Sequence, residues 1–198
     1  NLVGTLQNYQ LDLDTQLAGK PIPRQHLTIT GRGNLQQFTV SALRTDLLKG
    51  VVKATGQVHW QPTLAAQLHL DADKLILQEL WPDWPENLKL NSRLVANLAG
   101  PKLKITQLEV NLPQTATKLV LHGEGSFAGD HPHFQTTLTW QGLQWPLIAN
   151  GPAKTLVSST NGKLSAVGTP QAYQLQLDTD LQGKDIPKGR WQVVGQGD

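Results

Sequence analysis

Apolar and polar residues alternate along nearly the whole chain. In Tyr9-Gln10-Leu11-Asp12-Leu13-Asp14-Thr15-Gln16-Leu17, an extended backbone puts Tyr9, Leu11, Leu13 and Leu17 on one face and only polar residues on the other. A helix would scatter the same residues around its circumference, so the pattern predicts strands. The alternation recurs at Leu27 and Ile29, at Phe38, Val40 and Ala42, and at Val52, Ala54, Val58 and Trp60. It continues at Leu64, Leu68 and Leu70, at Leu88, Leu90, Leu94 and Leu98, at Phe134, Leu138 and Trp140, and at Tyr173, Leu175, Leu177 and Leu181. Gly, Pro and Asn punctuate these runs at Gly19-Lys20-Pro21, Gly31 to Asn34, Gly129 to Pro132, Asn150-Gly151-Pro152 and Asn161-Gly162, the last being the best hairpin signal. Ala42 to Leu48 and Leu75 to Leu80 carry weak helical patterns, and at most a turn of helix or 3₁₀ is expected near Leu77 to Leu80.

The runs are also related to one another. Gly4 to Pro23 reads GTLQNYQLDLDTQLAGKPIP and Gly168 to Pro187 reads GTPQAYQLQLDTDLQGKDIP, an ungapped repeat at an offset of 168 − 4 = 164. The match extends to Gly31-x-Gly33 and Gly195-x-Gly197. A degenerate middle copy follows Gly100, with Leu103, Ile105, Leu108, Val110 and Leu112, then Pro113, then Gly123-x-Gly125. Units therefore begin near residues 4, 100 and 168, the last one truncated. With no Met anywhere, residues 1–198 are expected to be a fragment of a continuous repeat array.

One-faced alternation implies antiparallel sheet, dry on one side and wet on the other. The dry side could be covered by a second sheet in a sandwich, or one long sheet could fold into a trough. Patterning alone leaves both open. Repetition favours the trough, because identical two-faced units extend an apolar stripe instead of finishing a core, and an exposed stripe of that size calls for a ligand. The expected fold is thus all-β, an elongated, mostly antiparallel sheet folded into an open trough with an apolar interior.

Composition changes this picture little. Only 16% of the chain is charged, the formal charge is +2, and the Lys and Arg are scattered without a basic run, so no nucleic-acid partner is expected. The absence of Cys removes disulfides and thiolate chemistry. No apolar stretch approaches the roughly 20 residues needed to span a bilayer.

Candidate chemistry is sparse. His26, His59, His69, His122, His131 and His133 fall on different runs, and no catalytic triad, acid pair or metal set is brought together by periodicity, so no enzyme activity, cofactor or metal is expected. His131-Pro132-His133 reads as a solvated turn, and Asp12-x-Asp14 as the wet face of a strand. Gly31-x-Gly33 is placed between strands, with no helix behind it to bind phosphate. Trp81-Pro82-Asp83-Trp84-Pro85 could stack on a sugar, sit at a lipid headgroup boundary or pack over the sheet edge, the last being the simplest reading.

The succession Tyr-x-Leu-x-Leu, Leu-x-Gly, Ile-Pro, Gly-x-Gly, Gly-x-Val-x-Trp and Trp-Pro-Asp-Trp-Pro resembles the repeats of TamB-type translocation and assembly proteins of the AsmA-like group. Leu143-Gln144-Trp145-Pro146-Leu147 and Asn161-Gly162-Lys163-Leu164 add to the resemblance, which covers essentially the whole chain. It implies a periplasmic β-taco in a protein anchored in the bacterial inner membrane outside this segment. It also implies a lipid-lined groove for phospholipid, and an outer-membrane assembly partner of the TamA or BamA type contacted outside this segment. On that reading the groove is lined by Leu11, Leu13, Leu17, Ile29, Phe38, Val40, Val58 and Trp60. Leu68, Leu70, Leu90, Leu94, Leu138, Trp140, Leu175 and Leu177 continue the lining. A protein-binding scaffold or chaperone working by β-augmentation is the alternative, and a carbohydrate-binding module using Trp81 and Trp84 a third.

Overall fold

The computed structural model describes residues 1–17, 19, 25–129, 132–147 and 155–197. The turn at Lys20-Pro21-Ile22-Pro23, most of Gly129 to His131, and Asn150-Gly151-Pro152 lie largely outside the described residues. The chain forms two compact units, Asn1–Gly100 and Pro101–Asp198. Unit 1 contains β1 (Leu2–Thr5), β2 (Asn8–Leu17), β3 (Gln25–Gly33), β4 (Gln37–Leu47), β5 (Gly50–His59), β6 (Ala65–Leu75) and β7 (Leu90–Ala99). Unit 2 contains β8 (Lys102–Leu112), β9 (Thr117–Ser126), β10 (His133–Trp145), β11 (Val157–Thr169), β12 (Ala172–Gly183) and β13 (Gly189–Gly197).

Within each unit every strand pairs antiparallel with the next in chain order, and the first strand does not pair with the last. Each unit is therefore an open antiparallel meander, the trough-like all-β fold expected from the alternation and the repeat together. Among the described residues helix is confined to two single 3₁₀ turns, Leu77–Glu79 and Pro113–Thr115. The first lies where a turn was expected, whereas the weak helical pattern of Ala42 to Leu48 falls on strand β4 as far as Leu47 and on the turn after it.

The repeat is visible in the register. All nine pairs of β2 with β3, from Tyr9↔Gly33 to Leu17↔Gln25, recur at the 164-residue offset in β12 with β13, from Tyr173↔Gly197 to Leu181↔Gly189. Gly4↔Tyr9 likewise becomes Gly168↔Tyr173. Gly4 and Gly168 share φ values of 120° and 142°, a region L-residues avoid, and a Cβ on either would collide with the carbonyl oxygen of Asn8 or Ala172.

Three sequence readings need correction. Asn161-Gly162 is not a hairpin turn but lies inside β11, at a bulge between Ser158 and Gly162. Gly162 is there because the Trp140 ring on β10 lies against it and a Cβ would occupy the ring's place. The Gly31-x-Gly33 pair is likewise within β3, where a Cβ on either residue would meet the Phe38 ring, and one on Gly33 also the Tyr9 ring. Ala42 does not continue the face of Phe38 and Val40. A bulge between Val40 and Leu43 turns it to the other side opposite Thr30 and brings Leu43 opposite Ile29.

Candidate functional site

Residues directly opposite one another in an antiparallel sheet project to the same face, so the register assembles the faces of each unit. In unit 1 one face carries a row running across the strands: Leu13, Ile29, Leu43, Ala54, Leu70 and Leu94. In unit 2 the row is Leu108, Leu121, Leu138, Leu164, Leu177 and Val193. Both rows are apolar at all six positions, and at about 4.8 Å per strand each runs roughly 24 Å. Bulges supply one member each: the insertion between Val40 and Leu43 delivers Leu43, and that between Ile105 and Leu108 delivers Leu108.

Flanking rows keep the same character. Tyr9, Gly33, Phe38, Val58, Ala66 and Leu98 form one, with the Tyr9 and Phe38 rings stacked at 6.0 Å and 16° across the glycine between them. Leu11, Val40 and Leu68 belong to the next and Leu175 to its unit 2 counterpart, while Trp140 shares a row with Gly162 and Thr179 on the other side of the Leu177 row. Leu17 and Leu90 close the far ends of β2 and β7. Trp60 stands just past β5, where its backbone N–H donates to Gln36 at 3.0 Å and its indole N–H to the Leu35 carbonyl at 2.6 Å. Fifteen of the sixteen candidate lining residues thus lie on the apolar faces and Trp60 at an edge. Of the two rows, Leu43, Ala54, Leu108, Leu121, Leu164 and Val193 were missing from that set. Opposition across strands identifies them, whereas alternation along one strand is interrupted by bulges or, at Val120 and Val194, blurred by apolar residues on the outer face.

The faces are apolar yet thinly covered. Among the described residues, the buried hydrophobics are Leu48, Ala72, Leu75, Leu88, Leu112 and Ala166, while Leu13, at the head of the unit 1 row, is 38% exposed. No paired position on either apolar face is charged. Charged side chains stand on the opposite face, where they find partners: Asp14 in the His26 imidazole at 2.7 Å, Arg93 in Asp71 at 2.8 Å, Lys118 in Glu109 at 3.1 Å and Arg190 in Asp178 at 2.7 Å. The Arg190 guanidinium holds the Asp178 carboxyl below its ordinary range, and hydrogen bonds from Asn111 and Lys118 do the same for Glu109.

One end of each face is closed, by different means. In unit 1, Leu48, Ala72 and Leu75 form a buried cluster with Leu47, Val52, Leu70, Leu77 and Leu90 packed against it. The 76–89 connection lies next to it, and Leu88, at 0% exposed, belongs to this connection and not to a strand. Its Trp84 indole donates to the Leu88 carbonyl at 2.9 Å, while Trp81 projects outward. In unit 2, buried Ser159 and Thr179 bond at 2.9 Å, Trp140 Nε1 donates to Ser159 Oγ at 2.7 Å, and Asp180 accepts from the Asn161 N–H at 2.8 Å and from Ser159. The Asn161 N–H is the main reason the Asp180 carboxyl titrates below its ordinary value. Beside this network Leu143, Trp145, Leu147, Val157 and Leu181 line an apolar pocket of about 190 Å³.

Among the described residues no three His, Asp or Glu side chains cluster to hold a metal ion, and no helix is long and apolar enough to cross a membrane. The geometry defines a repeat-built, open β-sheet protein with uncharged apolar faces. The family model described as "TamB, N-terminal domain" matches residues 1–132 and again 106–198, so the chain belongs to the TamB family. A curated relative, the translocation and assembly module subunit TamB of Haemophilus influenzae (strain ATCC 51907 / DSM 11121 / KW20 / Rd), is 27% identical over 128 residues. The alignment takes in 63% of this chain and 10% of that relative, so the chain spans about a tenth of the relative's length. No solved structure matches the chain.

Proposed function

We propose that these two units are part of a non-enzymatic periplasmic conduit for phospholipid between the inner and outer membranes, in a protein anchored in the inner membrane elsewhere in its sequence. The observation that carries this reading is the pair of six-residue apolar rows, uncharged and only partly covered. A hydrocarbon chain gains about 0.8 kcal/mol for each methylene removed from water, so a dozen methylenes on such a face are favoured by on the order of 10 kcal/mol relative to the aqueous path. Headgroups remain in water at the open edge. Membership of the family, and the words "translocation and assembly module subunit" in the relative's name, support placing this activity in an assembly module with an outer-membrane partner of the TamA type.

Leu13 and Leu177 are equivalent by the 164-residue offset and sit in the two rows. Leu13→Asp and Leu177→Arg are expected to leave the protein folded, because water reaches these half-covered positions, and to abolish photo-crosslinking of phospholipid. A closed core would instead lose several kcal/mol for an unpaired buried charge and unfold. Folded variants that crosslink phospholipid as strongly as the parent would refute the conduit and favour the β-augmentation scaffold.

A further inference from the structure

The two ends of the unit 1 strands differ in charge. At one end, residues 5–8, 33–37 and 59–65 form the turns of β1 to β2, β3 to β4 and β5 to β6, and contain no Lys, Arg, Asp or Glu. The other end, at residues 46–50 and 73–89, carries Asp46, Lys49, Lys74, Glu79, Asp83 and Glu86 among others. The uncharged end also exposes apolar side chains at its turns: Leu6 is 72% exposed, Leu35 55%, Leu64 49% and Trp60 40%. Turns ordinarily expose Gly, Pro, Asn, Asp or Ser, so apolar side chains exposed at or beside all three of these turns are not explained by turn formation. The bonds from Trp60 to Leu35 and Gln36 tie two of these turns into one edge. The row of Tyr9, Phe38 and Val58 lies immediately inside it. At the charged end the apolar face is already filled by the Leu48, Ala72 and Leu75 cluster.

We propose that the uncharged end is the lip over which a phospholipid acyl chain enters and leaves the apolar face of unit 1. This rests on the phospholipid reading above and adds the side of entry. A methylene chain crossing an edge of ionised groups must displace their hydration, whereas across Leu6, Leu35, Trp60 and Leu64 it keeps apolar contact at each step. The exposed amides of Gln7, Gln36 and Gln61 beside them donate and accept without net charge, so the lip admits zwitterionic and anionic headgroups alike.

The test is stopped-flow uptake of pyrene-labelled phosphatidylethanolamine by the full-length protein from phosphatidylcholine vesicles, which carry no net charge. The double variant Leu35→Glu with Leu64→Glu is expected to slow loading and release on the order of tenfold, with the amount bound at equilibrium and the melting temperature unchanged. Leu80→Glu, which charges an equally exposed leucine at the other end, is expected to do neither. If the Glu pair fails to fold, Leu35→Gln with Leu64→Gln slows loading in the same direction and to a smaller degree. Unchanged loading by a folded lip variant, or equal slowing by Leu80→Glu, overturns the lip while leaving the conduit standing. A lip variant that loses vesicle co-sedimentation without slower loading also overturns it, since the edge then docks on a bilayer and passes no chain. A parent protein that takes up no lipid overturns the conduit itself.

Discussion

Units 1 and 2 share the register of one strand pair, β2–β3 and β12–β13, and differ in how they end their apolar faces. The row holding Thr15 in unit 1 corresponds, by the 164-residue offset, to the row holding Thr179 in unit 2. On the unit 1 side the face runs into the hydrocarbon of Leu48, Ala72 and Leu75, beside the connection that buries Leu88. On the unit 2 side it runs into Ser159, Thr179 and Trp140, whose polar atoms are all satisfied and anchored to Asp180. Among the described residues no buried side-chain polar atom lacks a partner, so the polar ending leaves nothing unsatisfied. The difference teaches that an open sheet can end its apolar face in packed hydrocarbon or in a polar network grown from a bulge.

The largest effect is expected at the fully buried leucine of the 76–89 connection. Leu88→Ala should cost about 2–5 kcal/mol through lost burial and a residual cavity. Hydrogen exchange should then rise in β4 to β7 and not in β8 to β13, and equal loss of protection in both units would break the comparison. A smaller loss is expected from the network. Ser159→Ala leaves the Trp140 indole N–H and the Thr179 hydroxyl without their shared partner, and should destabilise unit 2 by about 1–3 kcal/mol. Thr179→Val keeps the Trp140 and Asp180 bonds to Ser159 and should cost less than Ser159→Ala in the same denaturant titration. The smallest effect is one of pH. Asp178 and Asp180 are both held below the ordinary carboxylate value of 3.8, so the folded state binds these protons less tightly than the unfolded chain does. Their stabilisation is therefore present above that value and is lost as pH falls through the lower folded values. Denaturant midpoints measured from about pH 5 down to pH 2 should fall less steeply in Asp180→Asn than in the parent.

Much of the fold was legible in the sequence because period two is a direct imprint of a one-faced strand. Tyr9 to Leu17 and Tyr173 to Leu181 are strands over those residues, with partners that recur at the offset read from the sequence. What alternation could not show was where a strand gains a residue. Ala42, Leu43 and Leu108 changed faces at bulges, and Asn161-Gly162 looked like a turn because a glycine that yields space to an indole is spelled like one that bends the chain. Leu88 was legible as apolar, but its spacing with Leu90, Leu94 and Leu98 reads as strand, whereas the strand begins at Leu90 and Leu88 lies buried in the connection before it. The candidate lining was legible position by position, whereas the rows emerge only when each strand is set beside its neighbours.

The bulges have a consequence for how such a chain can change over time. A single inserted codon in a strand would normally turn every following side chain to the wrong side of the sheet. The bulges at Val40 to Leu43, Ala72 to Leu75, Ile105 to Leu108 and Ser158 to Gly162 each hold one surplus residue and restore phase within a few positions. They act as frame correctors. Insertions and deletions that would scramble a closed barrel are confined here to one kink, and the rest of the repeat keeps its length, its register and its inside.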